Sequence, residues 1–276
     1  MRLNLPPIGT SKKIRGLENV FSLNGFSDGL SSLGRKDIYK YMKIDYFKDG
    51  IDKNEFVFVS PEEWSDKYER RFLFTKFDNP KYEQKKMRCS CFTSDRYWGE
   101  EAGWKSYGFD LNGKVVRFKL KFDILLNFLN EYANKVNAKV YIGEAMYGLT
   151  VKEINGIHKI QSPYYKVFFP KDFKDENYLS LMLLKRKAFS YENEIRIFIY
   201  YDTVETSSTK RPLLEKVPIN YEDIISEIYI SPLLDEKEKK KEMEDINKRF
   251  SNVKVSESRL YQSGCELASV PCDKGK

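Results

Sequence analysis

At 276 residues the chain is long enough for one large domain with appendages, and 19 Phe with 19 Tyr supply the area for a substantial core. Its net charge of +7 is spread as mixed Lys, Arg, Asp and Glu, which suits a polyanionic partner without demanding one. The sequence has no run of 18 apolar residues, no apolar stretch of a signal peptide between Met1 and Gly9, and too few cysteines (four) for a disulfide scaffold. These features exclude a spanning helix and point to a cytoplasmic protein with no membrane partner.

Residues 1–36, rich in Gly, Ser and Asn, read as a mobile or loosely docked arm. Order begins with an aromatic strand, Ile38 to Met42. After the polar turn Lys48-Asp49-Gly50 a second strand covers Glu55 to Ser60, and Pro61 behind it announces a short helix capped by Ser60. Residues 65–87, of both charge signs, read as exposed helix and loop. The next strand is Met87 to Ser94. Beyond it Tyr97, Trp98, Trp104 and Tyr107 stand among Gly99, Gly103 and Gly108. Core aromatics usually sit on periodic segments and these sit among turn signals, so a loop that stacks on a planar ligand competes with a core position. Trp104 and Tyr107 are expected to line a cleft.

Val115 to Leu120 alternates as a strand, and Asp123 caps a helix to Val136 whose stripe is Ile124, Leu125, Phe128, Leu129 and Tyr132. Lys139 to Ile142 is a strand, 143–176 mostly loop, and 178–187 a helix ending in the basic Lys185-Arg186-Lys187, where its dipole favours them. Thr206 to Lys210 reads as a loop, Glu227 to Ser231 as a strand and 234–250 as a charged helix with Met243, Ile246 and Phe250 turned inward. Val253 to Val255 is a last strand before a polar tail, residues 263–276. Seven or more short strands with three or four helices make an α+β domain over 37–262.

The chain's chemistry concentrates at Glu192 and Glu194, just before the alternating run Ile195, Ile197, Ile199. In a strand, residues i and i+2 share a face, so both carboxylates would project together at the mouth of a cleft, with Arg196 one step deeper. Like charges held together shift each other's pKa, a cost native folds carry more often at functional sites than elsewhere. A solvated acidic strand end is the plainer reading. Neither Cys89 with Cys91 nor Cys265 with Cys272 has the spacing of structural zinc ligands, and the single histidine, His158, stands in a turn-like stretch. No metal site is expected.

The order of these pieces resembles a bacterial domain-of-unknown-function family found in abortive-infection and toxin–antitoxin loci. The matching stretches are Ile38-Tyr39-Lys40-Tyr41, Phe56 to Asp66, Cys91-Phe92 before Trp104 to Gly108, Tyr191 to Arg196, and Ile228 to Pro232. That family looks like a distant branch of the ADP-ribosyltransferase fold, which binds NAD between two small sheets. The resemblance implies a split β-sheet core with flanking helices and NAD as substrate. Lys40 would stand at the first-strand position, where Arg or His is usual. Thr93 and Ser94 look like the fold's Ser/Thr signal, and Glu192-x-Glu194 like its catalytic turn. Tyr39, Tyr41, Ser60, Trp104 and Tyr107 complete the implied NAD-contacting set, with Lys40 on the pyrophosphate and Trp104 or Tyr107 stacked on a base.

The residue types suit that chemistry. Cleaving the nicotinamide glycosidic bond passes through an oxocarbenium-like state, which a carboxylate such as Glu194 stabilises, while Glu192 takes the acceptor's proton. The expected function is an intracellular toxin or phage-defence transferase acting on RNA, DNA or protein. Basic charge and exposed aromatics favour RNA, and an antitoxin or inhibitory protein is an expected partner. The alternative is a non-catalytic module of the same fold that senses a nucleotide or phage component. A metal-dependent nuclease lacks its usual acidic spacing.

Overall fold

The computed structural model describes residues 6–26, 37–64, 66–70, 87–94, 100–108, 112–201, 212–258 and 260. The pair Tyr97-Trp98, the 206–210 loop, and the tail with Cys265 and Cys272 lie outside these residues. Among them, eleven strands form one mixed sheet. They are β1 (Ser11–Lys13), β2 (Val20–Leu23), β3 (Ile38–Lys43), β4 (Glu55–Val59), β5 (Met87–Ser94), β6 (Val115–Leu120), β7 (Ala138–Glu144), β8 (Glu194–Tyr201), β9 (Leu214–Pro218), β10 (Ile225–Ile230) and β11 (Lys254–Glu257). Their order is β1-β2-β7-β8-β5-β3-β6-β10-β11, with β4 and β9 forming a side wing on β5. This bears out the α+β class.

Helices α1 (Ile44–Lys53), α2 (Lys67–Arg70), α3 (Glu100–Gly108), α4 (Phe122–Val136), α5 (Val151–Gly156), α6 (Tyr165–Phe168), α7 (Asp175–Leu181), α8 (Tyr221–Ile224) and α9 (Glu236–Asn247) connect the strands. No helix among the described residues is long and apolar enough to cross a membrane.

β8 runs through the middle, buried along its whole length. Its period of two sends Ile195, Ile197 and Ile199 into one core, with Leu125 and Leu129 of α4 and Ile246 of α9. Phe198 and Tyr200 enter a second core on the other face, with Tyr178, Leu179 and Leu181 of α7. Glu194 and Arg196 share the parity of Phe198 and therefore its face.

Two local expectations are corrected, and the N-terminal arm takes a defined place over part of its length. The N-terminal arm is docked at least over Ser11–Lys13 and Val20–Leu23: β2 pairs in parallel with β7 and buries Val20 and Leu23 in the two cores. Four residues joining a strand more than a hundred positions away leave no periodic signal of their own. The turn expected at Lys48-Asp49-Gly50 is the inside of α1, which buries Ile44, Phe47 and Gly50 and ends on Asn54 in the left-handed conformation. Gly50 is there for space, since a Cβ would lie 2.5 Å from the Tyr221 hydroxyl. The segment expected to be a stacking loop around Trp104 is α3.

Candidate active site

β5 meets two different strands along one edge. Cys89 pairs with Val59 of β4, and Thr93 and Ser94 pair with Tyr39 and Ile38 of β3. Neither β3 nor β4 pairs with Ser90, Cys91 or Phe92, so the two strands diverge there and the sheet splits. Backbone carbonyls left by a split need another donor. Lys40 of β3 provides one: its Nζ donates to the Cys91 carbonyl at 2.9 Å and to Ser90 Oγ at 2.8 Å, with the Phe92 ring centre 4.9 Å away. Burial pulls its pKa below the usual lysine value.

A cleft of about 1310 Å³ opens from the split, walled by β3 and α1 on one side and by β4 and β9 on the other. At one end lie Glu69, Lys185, Glu192 and Glu194. Glu194 accepts from Arg196 Nε through Oε1 at 2.8 Å, and its Oε2 accepts from Lys185 and, at 3.2 Å, from Arg196 Nη2. Lys185 also donates to Glu192 and stands 3.5 Å from Glu69. Arg196 reaches Glu69 and the Met182 carbonyl, and its guanidinium lies 4.4 Å from the Trp64 ring centre. Three carboxylates thus face two cations.

Burial alone would lower the Lys185 and Arg196 pKa values and raise that of Glu194, but the opposite charges outweigh it. Both cations are held above their ordinary values and Glu194 well below its own. Glu192 differs: burial raises its pKa, with only Lys185 opposing.

Glu192 and Glu194 come together, though not as neighbours on a strand. Glu192 ends a 3-10 turn (Lys187–Glu192), Asn193 turns the chain in the left-handed conformation at φ 41°, and β8 starts at Glu194. Lys185, beyond the end of α7, ties the two carboxylates together. Its backbone N–H donates to the Met146 carbonyl at 3.0 Å, which fixes where its side chain starts. Glu194 is 3 % exposed, so it sits at the cleft's inner end rather than its mouth.

The implied NAD-contacting residues divide. Lys40, Tyr41 and Tyr107 line the cleft; the Tyr41 and Tyr107 rings stack at 5.2 Å and 5°, and Tyr107 is 41 % exposed. Trp104 is a correction: it is fully buried and packs edge-on against Tyr41 at 5.1 Å. Gly103 beside it makes room for the Tyr41 ring, 2.7 Å from where a Cβ would stand. That glycine is a packing feature inside a helix rather than a turn. Tyr39 is buried under the Arg117 guanidinium, 3.7 Å from its ring centre. Ser60 is buried and caps the Pro61–Glu63 turn. Thr93 Oγ1 donates to the Glu192 carbonyl and Ser94 N–H to the Asn193 carbonyl at 3.1 Å, so these two hold the carboxylate turn in place.

Lys185 and Glu69 are the residues that reading the sequence missed. Lys185 sat in a basic triplet that reads as a helix end, and Glu69 in a stretch of mixed charge. Among the described residues no group of three or more His, Cys, Asp or Glu is placed to hold a metal ion. Compared with known proteins, the chain matches no family model and none of the curated proteins.

Proposed function

We propose that the protein is an NAD-dependent ADP-ribosyltransferase working in the cleft of the split sheet, as an intracellular toxin or phage-defence effector. The observation that carries this reading is the polarity of the cleft. Three carboxylates are set there against two cations, and Lys40 on β3 lines the same cleft with no carboxylate ion pair among the described residues. A dinucleotide with a cationic nicotinamide ring and an anionic pyrophosphate matches that polarity. The volume is ample for it.

In this mechanism the ribose hydroxyl beside the scissile bond takes over the place of Lys185 on Glu194, and Lys185 stays on Glu192. The Glu194 charge then faces the carbon on which positive charge develops. The acceptor's oxygen or nitrogen bonds to that carbon, nicotinamide leaves with the electrons of the broken C–N bond, and the acceptor's proton passes to Glu192. Tyr107, stacked on Tyr41, offers a face to a planar base at the rim. The acceptor is a protein or a nucleic acid; the net charge of +7 favours RNA.

One observation favours the second reading, a nucleotide-sensing module without turnover: both Glu194 oxygens already have cationic donors. Incubation with NAD labelled in its adenine half and with cell lysate separates the two. Transfer of label supports the enzyme, and NAD binding without transfer or nicotinamide release supports the sensor.

A further inference from the structure

Of the five charged groups in the cluster, Glu69 alone comes from outside the Lys185–Arg196 stretch. It stands on α2, on a segment tied down by its own contacts. Arg70 Nη1 donates to the Glu62 carbonyl at 3.2 Å, Asp66 accepts from Arg186 Nη2 at 2.8 Å, and Trp64 covers the Arg196 guanidinium. From there Glu69 reaches both cations that Glu194 uses.

Without Glu69 two carboxylates would face two cations. With it the buried cluster carries a surplus negative charge, which burial disfavours and a bound proton relieves. The three carboxylates do not compete equally for that proton. Glu194 and Glu69 each pair with Lys185 and with Arg196, whereas Glu192 pairs with Lys185 alone.

We infer that Glu69 is a positioning residue of the cleft: it holds Lys185 and Arg196 in place against Glu194 and, through its charge, makes Glu192 easier to protonate. Burial raises the Glu192 pKa, Lys185 opposes the rise, and the charges of Glu194 and Glu69 add to it. Among the described residues the other titratable groups acted on by Glu192 are Tyr107 of α3 and Tyr147 after β7, and burial with the Glu194 charge holds the Tyr147 hydroxyl above its ordinary value. Tyr147 accepts the Glu194 backbone N–H at 2.9 Å. Neither supplies a positive charge that could take over from Lys185.

The test is a carboxyl-carbon NMR titration of the protein labelled at glutamate, with Glu192→Gln used to assign the resonance. In Glu69→Gln the Glu192 midpoint should fall by about one pH unit. Should that variant not fold, Glu69→Asp, which withdraws the charge by one carbon, should give a smaller shift of the same sign. An unshifted midpoint in the folded variant overturns the inference. The kinetic counterpart rests on the transferase reading: the acid limb of nicotinamide release from NAD should move down in pH by the same amount. If no nicotinamide is released at any pH, that reading fails while the titration still decides the role of Glu69.

Discussion

Lys40 and Lys185 both line the cleft, yet a hydroxyl and a carbonyl bind Lys40 while three carboxylates surround Lys185. Burial acts on both. It prevails at Lys40, whose pKa is lowered, and is outweighed at Lys185, whose pKa is raised. A buried ammonium is costly unless an opposite charge offsets its lost hydration. Lys185 has that offset within the protein. Lys40 forms no ion pair with a carboxylate among the described residues, and the more distant Glu194 charge does not outweigh its burial; an anionic ligand would add that offset. The difference separates a residue that holds the cluster together from one that, in the proposed transferase, would meet the anionic substrate.

The largest expected effects are on stability. Lys185→Met strips the buried Glu194 and Glu69 and the half-buried Glu192 of their shared cation and should cost about 3–5 kcal/mol in urea unfolding. Trp104→Ala, in the core behind Tyr41, should cost a similar 3–5 kcal/mol, whereas Tyr107→Ala at the rim should cost well under half of that. Lys40→Met removes a donor but also a poorly solvated charge, so its cost should stay near 1 kcal/mol. The same variant should lower affinity for ADP-ribose roughly tenfold to a hundredfold, as loss of a charged hydrogen bond does. Equal destabilisation by Lys40→Met and Lys185→Met would erase the distinction.

The smallest effects are those of pH. The folded Lys40 pKa lies below the unfolded value of 10.5, so its burial penalty is present at neutral pH. That penalty is relieved as pH rises through the folded value towards 10.5, so the wild type should gain stability on Lys40→Met over that window. The folded Lys185 pKa lies above 10.5, so its contribution is fully present below 10.5 and is lost only as pH rises through the higher folded value. The gap to Lys185→Met should therefore hold steady where the gap to Lys40→Met moves. At the acid end, Glu194 has a depressed pKa and contributes stability above about 4.5, lost as pH falls through its folded value. Its advantage over Glu194→Gln should shrink below pH 4.5.

What could be read from the sequence divides along similar lines. Strands with a continuous apolar run stood out: Met87–Ser94 and Val115–Leu120 end where the sequence places them and are buried over most of their length, and Glu55–Val59 shows the period-two burial of a strand with one face inward. The reach of Arg196 to Glu194 was legible from their i, i+2 spacing, and the convergence of Glu192 with Glu194 was expected too, though a left-handed Asn193 and Lys185 bring it about rather than a shared strand face. Contacts set by distant chain were not. Glu69 meets Arg196 across 127 positions, and Lys40 meets Cys91 across 51, only because two strands part beside β5. The glycines around Trp104 misled for a related reason. Gly103 answers the shape of Tyr41, far away in sequence, and says nothing of the helix it sits in.

Nicotinamide release from NAD by the wild type and by Glu194→Gln, followed together with NAD binding on folded protein, tests the central claim most directly. The account predicts measurable release by the wild type. In the variant, release should slow by roughly two to three orders of magnitude while NAD is still bound. Equal release by the two proteins, or tight NAD binding by a wild type that releases nothing, would contradict it.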